Sequence, residues 1–350
     1  MHVMNDLMIR LGLAFPIIQA PMAGGVTTVE LVADVAQAGG LGSIGAAYLT
    51  PEIIRINASA IRARTNGAFA INLFADTKDK APTAEEIAYT RDILQPWAKA
   101  YGVELPTAPS PPLALDRQIE AMLEACPTVF SFTFGLMPTD VLDACRARNI
   151  FTMGTATTLE EVVALEQSGV DGICVQGMEA GGHRGTFLKP PEESLIGLIS
   201  LLGMAVQATR LPVIAAGGIM NGQGVRAVLD LGASAASLGT AFMVTDEAGT
   251  PPAHQHMLAE AEPRPTVLTR AFSGRLARGL TNRFHESLHP HQNRLVPFPA
   301  LNDMTRKIRQ AAGTAHDPEA LSLWAGQAYP LVRPMSAAQL MATLVSEAQL

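Results

Sequence analysis

Between residues 15 and 240 the chain repeats one pattern: a short apolar run, a turn of glycine or polar residues, and a stretch with apolar positions at helical spacing. The runs FPIIQA (15–20), GLGSIG (40–45), AFAINLF (68–74), TVFSFTF (128–134), NIFTMGT (149–155), VDGICVQG (170–177), LPVIAAGG (211–218) and ASAASLGT (233–240) predict eight strands. Helices are predicted over 28–38, from Pro51 onward, and over 139–148, 159–168 and 223–231. Strand and helix alternate as parallel pairing with crossovers requires. Eight such units in about 240 residues predict a (β/α)8 TIM barrel, whereas a doubly wound open sheet usually has fewer strands.

Two stretches break the rhythm. Residues 76–112 read as an excursion beyond the third strand, with a polar helix over 83–101 and a Pro-rich TAPSPP segment. After residue 240 a region rich in Pro, His and Arg (246–299) precedes amphipathic helices around 302–312, 318–326 and 336–348. The whole reads as an inserted, mostly helical cap near the C-terminus, with the last helix returning to complete the barrel's outer ring.

Composition narrows the function. With 48% hydrophobic residues in 350, the chain has ample material for a core. A formal net charge of -7 with no Lys/Arg-rich run argues against nucleic acid as a partner. The longest apolar run, 195–206, falls short of the roughly 20 residues that cross a bilayer. Asp6 and Arg10 interrupt the N-terminal apolar residues, so no signal peptide is expected. Cys126, Cys145 and Cys174 are widely spaced, which suits reduced thiols in a cytoplasmic protein, each a small buried residue.

The candidate chemistry lies at the C-terminal ends of the strands. QGMEAGGHRG (176–185) places one histidine, His183, in a glycine-rich turn after the sixth strand, where barrel enzymes keep their reactive groups. The loops AAGGIMNG (215–222) and SLGT (237–240) follow strands seven and eight, the position at which barrels bind phosphate on backbone N–H groups. Gly217, Gly218, Gly239 and Thr240 fit that role, although tight turns alone would use the same residues. The Pro21 to Gly25 turn, Asn72 and Gln176 add polar groups for the edge of a flat ring, while Asn72 alone reads equally as a capping residue. FMN meets both demands. His254, His256, His285, His289 and His291 invite a metal reading, but no carboxylate or cysteine stands at ligand spacing; no metal is expected and these histidines are expected at the surface.

QAPMAGG (19–25), GLGSIGAAYLTPE (40–52), INLF (71–74), SFTFG (131–135), QGMEAGGHRG, AAGGIMNG and LSLWAGQ (321–327) occur in one order along nearly the whole chain, which resembles the nitronate monooxygenase family, class I type. The resemblance implies a barrel holding FMN non-covalently and oxidising alkyl nitronates, such as propionate 3-nitronate, with O2 to the carbonyl compound and nitrite or nitrate. It implies FMN contacts at Pro21, Met22, Ala23, Asn72, Gln176, Gly181, Gly217, Gly218, Ser237, Leu238, Gly239 and Thr240, with His183 as the active-site histidine. An FMN barrel over 1–245, a cap over 246–310 and closing helices over 311–350 are expected, with a homodimer left open.

The sequence departs from the family pattern at Ser237, where a glutamine is usual, and at Thr133, where some members carry a second histidine. Thr133 and Arg306 are therefore the expected substrate residues, with Lys307 and Arg184 as alternative clamps for a carboxylate. The competing readings are an NAD(P)H-dependent FMN reductase of quinones or enoyl thioesters, and a flavin-binding protein without turnover.

Overall fold

The computed structural model describes residues 5–75, 81–111, 113–260 and 262–350. Six parallel strands come first: β1 (Ile17–Gln19), β2 (Gly42–Gly45), β3 (Phe69–Phe74), β4 (Val129–Thr133), β5 (Phe151–Ala156) and β6 (Gly172–Gln176). A two-residue strand β7 (Gly182–His183) interrupts them before β8 (Val213–Ala216) and β9 (Ala235–Leu238). The sheet order β1-β9-β8-β6-β5-β4-β3-β2 is parallel throughout, and the bridge Ile18↔Leu41 joins its two edges into a barrel. All eight barrel strands fall on the predicted apolar runs. They are buried on both sides, by helices outside and by one another inside, which is why they read as continuous runs rather than alternating ones.

Helix starts follow from local chemistry. Thr28, Thr50, Thr158, Asn221 and Ser336 each accept a backbone N–H three residues on, satisfying a donor that the first helical turn leaves unpaired. The final helix, Ala337–Ala348, packs against Gly222–Asp230 and Val29–Gln37, as the outer ring requires, and Glu347 accepts the Gly222 N–H at 2.8 Å.

The sequence reading missed three helices. Asp6–Leu11 plugs the bottom of the barrel, where Leu7, Met8 and Leu11 join Ile18, Ala70, Val129 and Ile214 in an interior cluster. Met8 has no exposed surface, so truncation to alanine costs about 2–5 kcal/mol. Leu115–Ala125 and Leu198–Ala208 lie outside the barrel; the second turns the longest apolar run into a helix that buries Leu198, Leu201 and Leu202 and exposes Ile199. Among the described residues no helix is long and apolar enough to cross a membrane.

The cap contains more than helices. Besides Pro252–Leu258, Arg283–Leu288 and Ala300–Thr314, it holds strands β10 (Thr266–Thr269) and β11 (Ala277–Leu280), which form an antiparallel sheet with β7. The helix Ala300–Thr314 runs across the boundary drawn at 310. The predicted helix at 318–326 is instead a short 3-10 turn, Pro318–Ala320, followed by extended chain in which Trp324 bridges Gly279; its apolar residues face the cap core without helical spacing. The excursion helix, Ala84–Ala100, sends Leu94 and Ala98 into that same core. The excursion's beginning, 76–80, and Pro112 lie outside the described residues.

Candidate active site at the barrel mouth

The turn bearing His183 is held from below and from the side. Gln176, at the end of β6, donates from Nε2 to the His183 carbonyl at 3.1 Å and accepts the Gly185 N–H on Oε1 at 2.9 Å. From the side, His183 pairs with Ala277 of β11, and Arg184 N–H donates to the Leu276 carbonyl at 2.9 Å. Gly182 has φ +73°, a left-handed conformation that favours glycine. Gly181 is required for a different reason: a Cβ there would stand 2.6 Å from backbone atoms of Ala325 and Gly326. The LSLWAGQ stretch thus braces the turn, and Gly326 N–H also donates to Thr240 Oγ1 at 3.0 Å.

Above the turn, the His183 ring is enclosed by Trp324, Phe298 and Phe134, with centroids at 5.5, 5.6 and 6.1 Å. Phe74 and Tyr48 extend this wall, at 4.6 Å from Phe134 to Phe74 and 5.6 Å from Phe74 to Tyr48. His183 Nε2 lies 2.8 Å from Ser273 Oγ. Burial, then the positive charges of Arg275 and Arg309, hold its imidazole well below the usual value, at about 3, so the ring is neutral near pH 7. Burial also lowers Arg309 to about 10, with the Tyr48 phenol opposing; Tyr48 itself is raised to about 12 by burial although solvent reaches 37% of it. Arg309 is oriented by Asn302, which accepts from Nη2 on its carbonyl at 2.7 Å and on Oδ1 at 2.9 Å.

The expected cofactor residues gather on one rim. Met22 and Ala23 pack on Gly45, where a Cβ would come within 2.4 Å of Ala23 N, and a Cβ on Gly239 would lie 3.8 Å from Met22 Sδ. Pro21 belongs to the same turn, which Thr27 closes by accepting the Gly45 N–H at 2.9 Å and donating to the Met22 carbonyl at 3.3 Å. Asn72 is buried within β3, two residues before its end, and donates to Ser131 Oγ at 2.9 Å. Gly217 and Gly218 follow β8; Ser237 and Leu238 end β9, with the Leu238 side chain in the barrel core. The backbone N–H groups of Gly218, Gly239 and Thr240 donate to no protein acceptor among the described residues. Gly222 and Gly224 at the adjacent helix start are already bonded to Glu347 and Asn221, so the anion-binding donors left here are those of the loops.

The expected substrate residues divide. Thr133 sits beneath the histidine turn, its Oγ1 3.3 Å from Thr155 Oγ1, with both methyls against Gly185. Arg306 is exposed and pairs with Asp303 at 2.7 Å, and Lys307 is exposed beside it. Arg309, one turn on, carries the guanidinium whose charge reaches both His183 and Tyr48. Arg184 points inward and spends its donors on the Ser194, Gln176 and Thr157 carbonyls. Arg275, Arg309, Ser273, Phe298 and Tyr48 were missed as site residues, although Tyr48 lies inside a quoted motif. Nor are all the cap histidines superficial: His254 donates from within the core to the Trp324 carbonyl at 3.1 Å, and His285 is buried, because the cap helices carrying them have a core of their own. Among the described residues no group of three or more His, Cys, Asp or Glu is placed to hold a metal. Cys145 and Cys174 are buried, with burial raising each thiol to about 12, whereas Cys126 caps a helix end with φ 46° and is exposed.

A family model described as Nitronate monooxygenase matches residues 5–347. The chain belongs to the nitronate monooxygenase family. A probable nitronate monooxygenase of Staphylococcus aureus (strain Newman) is 36% identical over 348 residues, covering 98% of this chain and 97% of that one. A solved nitroalkane oxidase from Streptomyces ansochromogenes superposes with a TM-score of 0.92 at 37% identity, covering 99% and 98% of the two chains. FabK from Thermotoga maritima, at 24% identity and TM-score 0.77 over 99% and 97%, shares the fold. Membership in the nitronate monooxygenase family makes this protein an oxidoreductase.

Proposed function

We propose that the protein oxidises alkyl nitronates, propionate 3-nitronate among them, with FMN as cofactor and O2 as oxidant, releasing the carbonyl compound and nitrite or nitrate. The observation that carries this reading is a neutral histidine, two guanidinium groups and an aromatic wall above a rim of unpaired loop amides. The residues fit FMN. Gly218, Gly239 and Thr240 offer N–H donors to its phosphate, with Gly217 shaping that turn, and Pro21, Met22 and Ala23 offer backbone alongside its ring. Asn72, Gln176, Gly181, Ser237 and Leu238 line the same rim, Leu238 through its backbone. FMN held there would supply the redox chemistry, an acceptor for the nitronate's electrons and a donor of electrons to oxygen.

The protein's own groups do the rest. Arg309 and Arg275 favour an anion in the pocket, since both are cationic near pH 7 and flank the same imidazole. The aromatic wall makes the surroundings of the ring less polar and so strengthens those attractions. His183, neutral, is in the state needed to take an α-proton from a nitroalkane; the alternative of an imidazolium steadying the nitronate is disfavoured by burial and then by the two cations. Thr133 bounds the pocket floor.

Anaerobic mixing tests the reading. The flavin-loaded protein should lose its oxidised flavin absorbance with propionate 3-nitronate and keep it with NADH. Rapid bleaching with NADH alone would instead establish the reductase, and no change with either would leave a flavin-binding protein.

A further inference from the structure

The hydrogen bond between His183 Nε2 and Ser273 Oγ, at 2.8 Å, joins the barrel's histidine turn to a cap turn 90 residues away in sequence. Ser273 is completely buried and has two further partners: its hydroxyl donates to the Arg275 carbonyl at 3.2 Å and accepts the Arg275 N–H at 3.3 Å. A serine hydroxyl has one proton. With that proton directed to the Arg275 carbonyl, the oxygen meets His183 as an acceptor, and Nε2 must carry the hydrogen. Nδ1 has no protein partner among the described residues, and it is not sealed from solvent as both ring nitrogens of His285 are. Gln176 and β11 fix the backbone on both sides of the ring, and Trp324, Phe298 and Phe134 enclose the imidazole itself.

We propose that Ser273 is a positioning residue for His183: its buried hydroxyl accepts the Nε2–H and leaves the Nδ1 lone pair facing the pocket as the proton acceptor. This rests on the reading of the pocket as a nitronate site. In the step it serves, the C–H bond beside the nitro group breaks and its electron pair stays on the substrate as the nitronate. The proton forms a bond to Nδ1, and the imidazolium keeps its Nε2–H on Ser273. The charged groups facing the ring are Arg275 from the cap turn and Arg309 from the helix Ala300–Thr314, both opposing that protonation. The new nitronate anion offsets them, coupling proton uptake to the formation of the anion.

The test is nitrogen-15 NMR of histidine-labelled, flavin-loaded protein, with the His183 pair identified by its loss in His183→Asn. The expected result is protonated Nε2 and bare Nδ1. In Ser273→Ala the pair should shift toward a mixture of tautomers, and kcat for a neutral nitroalkane should fall about tenfold, a small part of the usual contribution of a positioned base. Oxidation of preformed nitronate should fall less than about twofold, since no proton is abstracted. Ser273→Thr, which retains a hydroxyl, should restore both the tautomer and the rate, and melting temperature and flavin spectrum show whether each variant folds. A wild-type ring protonated at Nδ1, or a tautomer unchanged by Ser273→Ala, would overturn the proposal. If the wild type turns over no nitro compound, the functional reading fails while the tautomer measurement still decides the role of Ser273.

Discussion

The two halves of the site are built on opposite principles. The lower half is the barrel rim, where the ends of β1, β3, β6, β8 and β9 present backbone through short glycine turns; its position is set by eight strands whose register leaves little freedom. The upper half comes from the cap, where Ser273, Arg275, Phe298, Arg309 and Trp324 converge from irregular chain and one long helix. The rim supplies generic hydrogen-bond donors suited to holding a large planar ligand. The cap supplies charge, ring contacts and the partner of the histidine.

His183 belongs to both halves, and the largest effect should follow from changing it. His183→Asn should lower kcat/KM for a neutral nitroalkane by about 100-fold or more while sparing preformed nitronate by comparison. Equal losses with the two substrates would show that the histidine serves binding rather than proton transfer. Next comes the brace between the halves. Gly181→Ala forces a Cβ against the Ala325 and Gly326 backbone and should cost about 1–3 kcal/mol in urea unfolding, with weaker flavin retention. An unchanged midpoint would mean that the 324–327 segment moves freely from the turn.

A cap-only change should separate binding from chemistry. Arg309→Gln should raise KM for an anionic nitronate about tenfold, the worth of one charge-assisted contact, and leave KM for neutral nitroalkanes nearly unchanged. A parallel rise for both would assign Arg309 to packing. The smallest effect concerns pH. Arg275→Gln removes one cation that opposes protonation of His183, so the imidazole pKa should rise above about 3 while burial and Arg309 still hold it below the usual value. The base form is lost as pH falls through that raised value, and the acid limb of kcat/KM for neutral nitroalkane should move to higher pH. An unmoved limb would leave burial and Arg309 as the causes of the shift.

The same contrast explains what could be read from the chain. Barrel strands are short apolar runs separated by glycine and capped helices, all local signals, so β1 to β6, β8 and β9 were legible, as were the rim glycines and His183. Strands β10 and β11 were not. Thr266–Thr269 and Ala277–Leu280 contain polar residues on a sheet only three strands wide, one of whose strands is the two-residue β7. Arg306 and Arg309 lie three apart on one helix, and sequence spacing alone does not say which faces inward; the burial of Thr305 and Ile308 beside Arg309 decides it. Ser273 had no motif at all, since its role depends on a contact across 90 residues. The helix Asp6–Leu11 was hidden because six residues carry too little periodicity to distinguish it from a loop.

Among the described residues strand β7 has its ladder partner in the cap sheet and none in the barrel. A lineage that exchanged residues 263–299 for another sequence would replace, in one event, the strand beside the histidine, its serine partner and one face of its aromatic enclosure. The loop amides after β8 and β9 would be untouched. Novelty in substrate can therefore arise within a short exchangeable segment of the gene, while the loops proposed to hold the cofactor are inherited intact.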